Sequence, residues 1–211
     1  MKENSYQKKM DINVEKFRRY LQKNSSLPDE IIEAFVSAGK PRKYKKGEFF
    51  SKQGEIADKS AYICAGIFNV FCTQEDGTLF VVAFLKEDDV VQSRFDFSIP
   101  CNVTIQALCE IVVIEFQTRA LHNMCLQYPQ LGSFVRYLIE KGIMLYAAHM
   151  IQIGTKKAVV NYLLFQKSFQ SHEGHIPQHL IAAYLGITPT QLSRIRKKLS
   201  GAQQASKSSI L

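Results

Sequence analysis

The side chains of this sequence that are best suited to chemistry are cations near its carboxyl end. After Glu173 the chain contains no Asp or Glu, but it carries Arg194, Arg196, Lys197, Lys198 and Lys207. A positive surface without neighbouring carboxylates attracts phosphate groups. The pattern therefore favours DNA binding, and the alternative is a helical hairpin whose basic face is only solvated.

These cations lie in a stretch that has the pattern of two short helices, IPQHLIAAYLGITPTQLSRIRKKL, residues 176–199. Gly186 stands where the chain must reverse, and glycine takes a positive φ at little cost. Ala182 is small enough to let a second helix pack closely. The apolar residues recur at helical spacing, at Ile181, Leu185, Ile187, Leu192, Ile195 and Leu199. The stretch predicts a helix-turn-helix.

A capping pattern predicts where the second of these helices begins. Thr188, Pro189 and Gln191 resemble a capping box with proline at the first helical position, so we expect the helix to start at Thr188. At about 100° per residue, its apolar residues share one side and its polar residues the other. The polar side consists of Thr190, Arg194, Lys197 and Lys198.

Composition limits the class of protein. The chain has 211 residues, of which 46% are hydrophobic, so it can bury a sizeable core in one or two domains. Its formal net charge of +8 favours an acidic partner. The amino terminus is too polar for a secretory signal, and no apolar run approaches the roughly 20 residues of a membrane span. We expect a cytoplasmic protein without membrane contact.

The first half of the chain predicts two helices and then a β-roll. Helical patterns occupy residues 12–39, and Gly39 suits the end of the second. From Tyr44 to about Phe116, short apolar runs are separated by turn signals near every tenth residue, which indicates an all-β barrel or double-sheet roll. EDGT, residues 75–78, marks the clearest hairpin. We interpret Glu87, Asp88 and Asp89 as another hairpin turn.

The helical period returns after the roll and persists from about Tyr128 to Ile153. Leu131, Leu138 and Leu145 recur every seven residues, as in a short parallel coiled coil, and they predict a dimerisation helix. A second stripe runs beside them, at Val135, Ile139, Ile143, Tyr146, Met150 and Ile153. The alternative is one helix buried on two sides within a single subunit.

Gly154 and Thr155 break this helical pattern, and we place a hinge there. The expected units are a β-roll with flanking helices at 1–127, the long helix and hinge at 128–154, and the helix-turn-helix domain at 155–211. The residues after Ser200 are polar, and we expect a frayed tail.

Cysteine and histidine give no pattern of a metal site. The five cysteines are scattered without CxxC or Cys/His spacing, so we expect reduced thiols, although Cys64 and Cys72 could flank a hairpin and respond to oxidation. HEGHIPQH, residues 172–179, lacks a helical His register and predicts a surface loop. Haem would need an axial ligand such as His122 or His149, each more simply a solvated or packed side chain. We find no catalytic motif and expect no enzyme.

The order of roll, long helix, hinge and helix-turn-helix resembles the Crp/Fnr family of bacterial transcription regulators. The resemblance covers nearly the whole chain and rests on KKGEFFSKQGE, AYICAGIFNVF and EDGT in the roll, and on the stretch from Ile176 to Leu199. It implies a homodimer that places two recognition helices in successive major grooves of a near-palindromic site in double-stranded DNA. It also implies RNA polymerase as a partner.

The resemblance assigns candidate DNA contacts residue by residue. Arg194 matches the family arginine that reads a guanine, and its fork can pair with O6 and N7. Pro189 and Thr190 stand where many members place an arginine and a glutamate, so this chain must read a different site. The candidates for phosphate or other base contacts are Gln178, His179, Thr188, Gln191, Ser193, Lys197 and Lys198. Only a short polar tail follows Leu199, so the usual wing is reduced or absent.

The ligand side departs from the cyclic-nucleotide-binding members of the family. Gln92 and Ser93 stand at the positions of the Gly-Glu pair that holds the ribose, and Cys101 and Asn102 stand near the position of the arginine that holds the cyclic phosphate. Arg94 is a possible substitute for that arginine, and Val91 precedes the altered pair. An unpaired phosphate in a barrel is costly, so we expect no cyclic nucleotide and no other cofactor.

The sequence therefore predicts a Crp/Fnr-type regulator with an α+β fold: an antiparallel β jelly roll, a dimerisation helix and a helix-turn-helix. Its effector is an unidentified small molecule, or there is none. The alternative is a ligand-binding or protein-interaction module without selective DNA binding.

Overall fold

A computed structural model describes the backbone of residues 2–92 and 98–208 and the side chains of residues 11–92 and 98–201. Two helices precede the roll: α1 (Lys2–Asn24) and α2 (Asp29–Ala38). The strands are β1 (Lys40–Tyr44), β2 (Phe49–Ser51), β3 (Ser60–Ala65), β4 (Phe68–Thr73), β5 (Leu79–Leu85), β6 (Val90–Gln92), β7 (Thr104–Ala107) and β8 (Ile111–Phe116). The helices after the roll are α3 (Thr118–Gln127), α4 (Pro129–Thr155), α5 (Ala158–Phe169), α6 (Gln178–Tyr184) and α7 (Pro189–Ser208).

The two helices predicted before the roll pack on its outer face. Phe17 and Leu21 of α1 are buried in one cluster with Phe35 of α2 and with Tyr62 and Phe116 of the roll. Gly39 follows α2 where its backbone passes close to β8, because an added Cβ would lie 2.3 Å from Cγ2 of Ile114. Only glycine fits this approach, which explains why the helix ends there.

The predicted double-sheet roll is confirmed. One antiparallel sheet has the order β1-β8-β3-β6 and the other β2-β7-β4-β5. The EDGT turn joins β4 to β5 as predicted, with Gly77 at a φ of 83°. Between the sheets, Phe50, Phe68 and Ile105 fill the core of the roll and are each no more than 2% exposed.

The interpretation of Glu87, Asp88 and Asp89 as a hairpin turn is wrong. β5 and β6 belong to different sheets, so this segment crosses between them. The Asp88 N–H donates to the Ile63 carbonyl, and the Ile63 N–H donates to the Asp89 carbonyl. Asp88 takes a φ of 69°. The connection between two sheets contains the same kind of turn residues as a hairpin, so the local sequence pattern does not distinguish the two.

The long helix continues beyond the break that the sequence suggested. α4 runs through Gly154 and ends at Thr155, whose hydroxyl donates to the Ile151 carbonyl at 2.7 Å. The extended residues are Lys156 and Lys157, with ψ values of 153° and 143°. The helix therefore ends after Gly154 rather than at it, because glycine is tolerated in a last turn that keeps its hydrogen bonds.

The helices after α4 pack against the roll within one continuous core. Phe84 of β5 contacts Phe165 and Phe169 of α5, with ring centroids 6.1 and 5.7 Å away. Tyr184 at the end of α6 completes this cluster, 5.0 Å from the Phe84 ring. The carboxyl-terminal helices are thus seated on the outer face of β5.

The end of the chain differs from the predicted frayed tail. α7 continues past Ser200 to Ser208, and no described residue after Phe116 lies in a β-strand. Gln and Ala, which favour helices, follow Gly201 and allow the helix to continue. Within the described ranges, no helix combines the length and apolar character needed to cross a bilayer.

Candidate nucleic-acid interface

The helices α6 and α7 form a unit whose inner side is apolar. Ile181 and Ala182 of α6 and Leu192 of α7 have no exposed surface, and Ile195 is 9% exposed. Ile187 and Leu199 are packed on the same cluster at its margin. All six predicted apolar positions thus contribute to one core, which holds α7 in a fixed orientation on α6.

The turn between these helices depends on Gly186. Its φ is 65°, the left-handed region that side chains other than glycine rarely adopt. A Cβ at this position would also lie 3.2 Å from Cγ2 of Ile153, near the end of α4. The turn therefore packs on the long helix and connects α6 to α7 without strain.

The predicted capping box is present at the start of α7. The Gln191 N–H donates to the Thr188 hydroxyl oxygen at 3.2 Å, and the Thr188 N–H donates to Oε1 of Gln191 at 2.9 Å. Two backbone donors that the helix leaves unpaired are satisfied in this way. Both side chains are exposed, so the Thr188 hydroxyl and the Gln191 amide keep donors that a partner can use.

The outer side of α7 presents the predicted cations. Arg194, Lys197 and Lys198 are exposed, and among the described residues none of them is in an ion pair. Arg196 behaves differently, because its guanidinium lies 3.6 Å from a carboxylate oxygen of Glu173. The free positive charge of the described part of α7 is therefore concentrated on one face.

Glu173 connects α7 to α5, which the sequence did not reveal. Its carboxylate accepts a hydrogen bond from the Tyr162 hydroxyl at 2.8 Å and one from the Gln166 amide at 3.2 Å. Burial and this carboxylate raise the pKa of Tyr162 to about 12. The last acidic residue of the chain is thus used inside the domain and does not oppose a phosphate partner.

The other predicted contact residues lie on the exposed surface of the same unit. Gln178 and His179 are in the first turn of α6, while Pro189, Thr190 and Ser193 are on α7. Thr188 and Gln191 form the capping box at the amino-terminal end of α7 and are also exposed. An arrangement of amide, hydroxyl and imidazole groups beside a cationic helix suits phosphate positioning.

The prediction of a surface loop at residues 172–179 is wrong for His172. A short 3-10 helix spans Glu173–His175, and His172 is only 8% exposed. Its Nε2 lies 3.0 Å from a carboxylate oxygen of Glu87. Burial disfavours the Glu87 carboxylate, but hydrogen bonds from Gly66 and His172 outweigh it and lower the pKa of Glu87. Within the described residues no group of His, Cys, Asp or Glu could hold a metal ion.

The predicted effector residues lie at the edge of a filled roll. Val91 and Cys101 are buried, at 1% and 3% exposure, and Val91 belongs to the core between the sheets. Gln92 is half-buried and Asn102 is exposed. Ser93 and Arg94 lie outside the described residues. Phe50 and Phe68 occupy the space between the sheets next to Val91.

The predicted dimer stripe is only partly covered within the subunit. Leu131 is completely buried in the cluster of α1 and α2, Leu138 is half-buried against the same cluster, and Leu145 is 60% exposed. Leu131 therefore has no surface to offer a partner. Three exposed apolar residues on another side of α4 also recur every seven residues: Tyr137, Met144 and Ile151. The sequence contains both repeats of seven residues, and the leucine repeat is the one on which the prediction was based.

The cysteines described by the structure are all free thiols. Cys64 and Cys72 lie in β3 and β4, which belong to different sheets, so they do not flank a hairpin. Burial raises the pKa of the Cys64 thiol to about 12, which keeps it protonated and unreactive. His149 is packed on Tyr184, and His122 is exposed.

Comparison with known proteins identifies the roll and the overall fold. Residues 41–128 match the family model of the cyclic nucleotide-binding domain. No curated protein sequence matches the chain. Among solved structures, FixK2 from Bradyrhizobium japonicum is similar at 19% identity with a TM-score of 0.69, over 78% of this chain and 86% of that chain.

Two further solved structures have the same arrangement. CLP from Xanthomonas campestris is 13% identical with a TM-score of 0.62, over 83% of this chain and 93% of that chain. A CooA mutant from Carboxydothermus hydrogenoformans is 14% identical with a TM-score of 0.62, over 86% and 83%. The chain therefore has an α+β fold with a cyclic-nucleotide-binding-type β-roll and several helices, similar to the fold of these three proteins.

Proposed function

We propose that this protein is a sequence-specific DNA-binding transcription regulator of the Crp/Fnr type. The observation that carries the proposal is the exposed cationic face of α7, on a helix whose start and inner side are fixed by the capping box and the apolar core. A helix so held can enter a major groove as a rigid body. CLP, one of the proteins of similar fold, is described as a global regulator.

Arg194 is the proposed reader of a base. It is exposed, it lies about one turn into α7, and among the described residues no carboxylate pairs with it. A guanidinium can donate two parallel hydrogen bonds to O6 and N7 of a guanine. Lys197 and Lys198 supply the phosphate contacts beside it, and Gln178 and His179 supply those at the start of α6.

The proposed active form is a homodimer on a near-palindromic site. Tyr137, Met144 and Ile151 expose 53%, 69% and 65% of their surfaces along one side of α4, a seam that a second copy can cover. Two-fold symmetry then presents the two α7 helices to half-sites about 34 Å apart. The usual wing is reduced or absent in this proposal, because no strand follows the start of α7 within the described residues.

The proposed regulator does not use a cyclic nucleotide or another cofactor. Phe50 and Phe68 fill the space between the sheets, and Gln92 and Asn102 stand where a ribose and a phosphate would need other partners. Any effector must prefer one arrangement of the helices over another to change DNA affinity. RNA polymerase is the proposed protein partner of the DNA-bound dimer.

Two arginines on the same helix provide a matched test. On a duplex selected by the protein, Arg194→Ala should weaken binding by tenfold or more, about 1 to 3 kcal/mol, and relax the preference at one base of each half-site. Arg196→Ala removes the same charge, but Arg196 is paired with Glu173, so we expect a smaller loss and unchanged base preference. Fluorescence anisotropy at two salt concentrations measures both.

The base-reading role is rejected if both variants lose equal affinity on selected and scrambled duplexes. Such a result would mean that the two arginines act only through charge. Absence of selective binding by the wild-type protein would instead favour the alternative, a ligand-binding or protein-interaction module.

A further inference from the structure

A cleft between the roll and the carboxyl-terminal helices has the size of a small-molecule site. Its volume is about 480 Å³, within the range that ligand pockets usually have. β5 forms one wall, α4 and α5 form two others, and Tyr184 of α6 closes one end. The predicted effector residues Val91, Cys101 and Asn102 do not line it.

Aromatic side chains give this cleft the lining of a site for a planar molecule. Phe84 and Phe165 are buried in its walls, and Tyr146 and Tyr184 are also part of the lining. Rings with these orientations can stack on, or meet edge-on, a flat ligand. Apolar contact of this kind supplies most of the binding free energy in small-molecule pockets.

One buried acceptor in the lining has no partner. Asn161 is 2% exposed, and its Oδ1 forms no hydrogen bond. Its Nδ2 donates to the Lys156 carbonyl at 3.3 Å, which fixes the orientation of the amide because a carbonyl can only accept. A buried carbonyl oxygen left without a donor is costly, so this position favours a ligand that supplies one.

A second group in the lining also presents an acceptor. Nε2 of His149 lies 3.2 Å from the Tyr184 carbonyl and must donate to it. Burial lowers the pKa of His149 and keeps the imidazole neutral, so its Nδ1 carries a lone pair. The ring itself is stacked on Tyr184 at 3.9 Å between centroids. The cleft thus has two fixed acceptors for a ligand to satisfy.

The charged residues of the lining balance one another. Lys86 and Lys141 contribute two positive charges, and Asp88 and Asp89 contribute two negative charges. Lys86 also donates to the Ser168 carbonyl, and Asp88 accepts from the Tyr62 hydroxyl. A site with equal charges of both signs does not select an ion, so the ligand should be uncharged.

Because Oδ1 of Asn161 has almost no accessible surface, a ligand must displace part of the lining to reach it. We propose that this cleft binds a small uncharged aromatic molecule that opens the lining in this way and donates an N–H hydrogen bond to Oδ1 of Asn161. The walls belong to the roll, to α4, to α5 and to α6, the helix on which α7 packs, so a bound ligand would contact all of these parts at once. The consequence for DNA affinity rests on the proposed function. Tyr137, Met144 and Ile151 of the proposed dimer seam do not line the cleft.

Indole and benzofuran test the donor directly. The two bicyclic molecules have nearly the same shape, but benzofuran has an oxygen in place of the N–H. Saturation-transfer NMR and ligand titration with the full chain should show indole binding at least tenfold more tightly, since the buried acceptor is left unpaired by benzofuran. Equal affinity for the two molecules would overturn the role of Asn161, and no binding of indole at millimolar concentration would overturn the site.

Two neighbouring leucines of α5 locate the site. Leu164 lines the cleft, whereas Leu163 is 47% exposed and does not. Leu164→Trp should fill the cleft and abolish indole binding, while Leu163→Trp should bind indole like the wild type. Circular dichroism and thermal melts establish that both variants are folded. Loss of binding in both variants, or in neither, would contradict this location.

The effect on DNA is measured separately, with the selected duplex and a saturating concentration of indole. A change in DNA affinity in the wild type and in Leu163→Trp, but not in Leu164→Trp, would support regulation through the cleft. Indole binding without any change in DNA affinity would overturn the regulatory role. Absence of DNA binding with or without indole would count against the proposed function and leave the ligand site standing on its own measurement.

Discussion

Thr188 and Gln191 determine where the cationic helix begins. Their reciprocal hydrogen bonds were predictable because both partners lie within four residues and depend only on local backbone geometry. The burial of Leu192 and the exposure of Arg194 were predictable for the same reason, since helical periodicity assigns them to opposite sides. Local patterns thus predict the start of α7 and which of its residues are buried or exposed.

The capping box can be tested by stability. Thr188→Ala removes the acceptor for the Gln191 N–H and should lower the free energy of unfolding by about 1 kcal/mol. Urea denaturation measures the loss. Ser193→Ala, an exposed change within the same helix, should alter stability by less than about 0.5 kcal/mol. Equal stability of the two variants would show that the cap contributes nothing in solution.

Contacts between residues that are far apart in the chain could not be predicted from the sequence. Arg196 pairs with Glu173, and His149 stacks on Tyr184, 35 positions away. No spacing rule connects such residues, because their approach depends on how α4, α5 and α6 are seated on the roll. The contact with Glu173 also explains why Arg196, unlike Arg194, Lys197 and Lys198, is in an ion pair.

His149 makes stability depend on pH. Burial lowers its pKa below the ordinary value of 6.5, so in acid the unfolded chain binds a proton that the folded chain resists. Its contribution is therefore fully present above about pH 6.5 and is lost as pH falls below that value. Urea denaturation at about pH 7.5 and 5.5 should show a smaller acid loss in His149→Phe than in the wild type.

The exposed His122 supplies the control for this measurement. His122→Phe removes an exposed imidazole and leaves the stack of His149 on Tyr184 in place, so it should retain the pH dependence of the wild type. An acid loss that is equal in His149→Phe and in the wild type would contradict the assignment to His149.

At the level of elements, α4 shows both the strength and the limit of periodicity. Its length was predicted to within two residues at either end, since apolar residues recur throughout. The choice between its two faces could not be made from the sequence, because apolar side chains surround the helix. Leu131 is buried by α1 and α2, and this leaves Tyr137, Met144 and Ile151 uncovered.

A single charge tests which face of α4 forms the dimer. Met144→Glu places an unpaired carboxylate in the middle of the proposed seam, where burial would cost several kcal/mol. We expect a monomer in sedimentation velocity. We also expect a loss of DNA affinity in a binding titration. Leu126→Glu is the control, because Leu126 is 70% exposed on α3 and away from the seam. A dimer that persists in Met144→Glu would contradict the proposed interface.

At the level of the whole molecule, the order of the units was predictable and their mutual arrangement was not. Turn signals and changes of period indicated the roll, the long helix and the two short helices. The seating of α5 and α6 on β5 depends on rings that are far apart in the chain, such as Phe84 and Phe169. This seating forms the cleft and determines where the cationic face of α7 points.

We propose that the cationic face of α7 reads a DNA sequence as part of a symmetric pair. Two features of the molecule support this proposal, namely the free cations of α7 and the uncovered apolar seam of α4. Either feature alone is compatible with a solvated surface. Together they predict two copies of one contact, related by a two-fold axis.

The most direct measurement is selection of DNA sites from a random pool by the purified protein, without added ligand and at two salt concentrations. The account predicts enrichment of a near-palindrome whose half-site centres are about 10 base pairs apart, with affinity that falls as salt rises. Weak, salt-sensitive binding to every sequence, with no enriched palindrome after addition of indole as well, would contradict it.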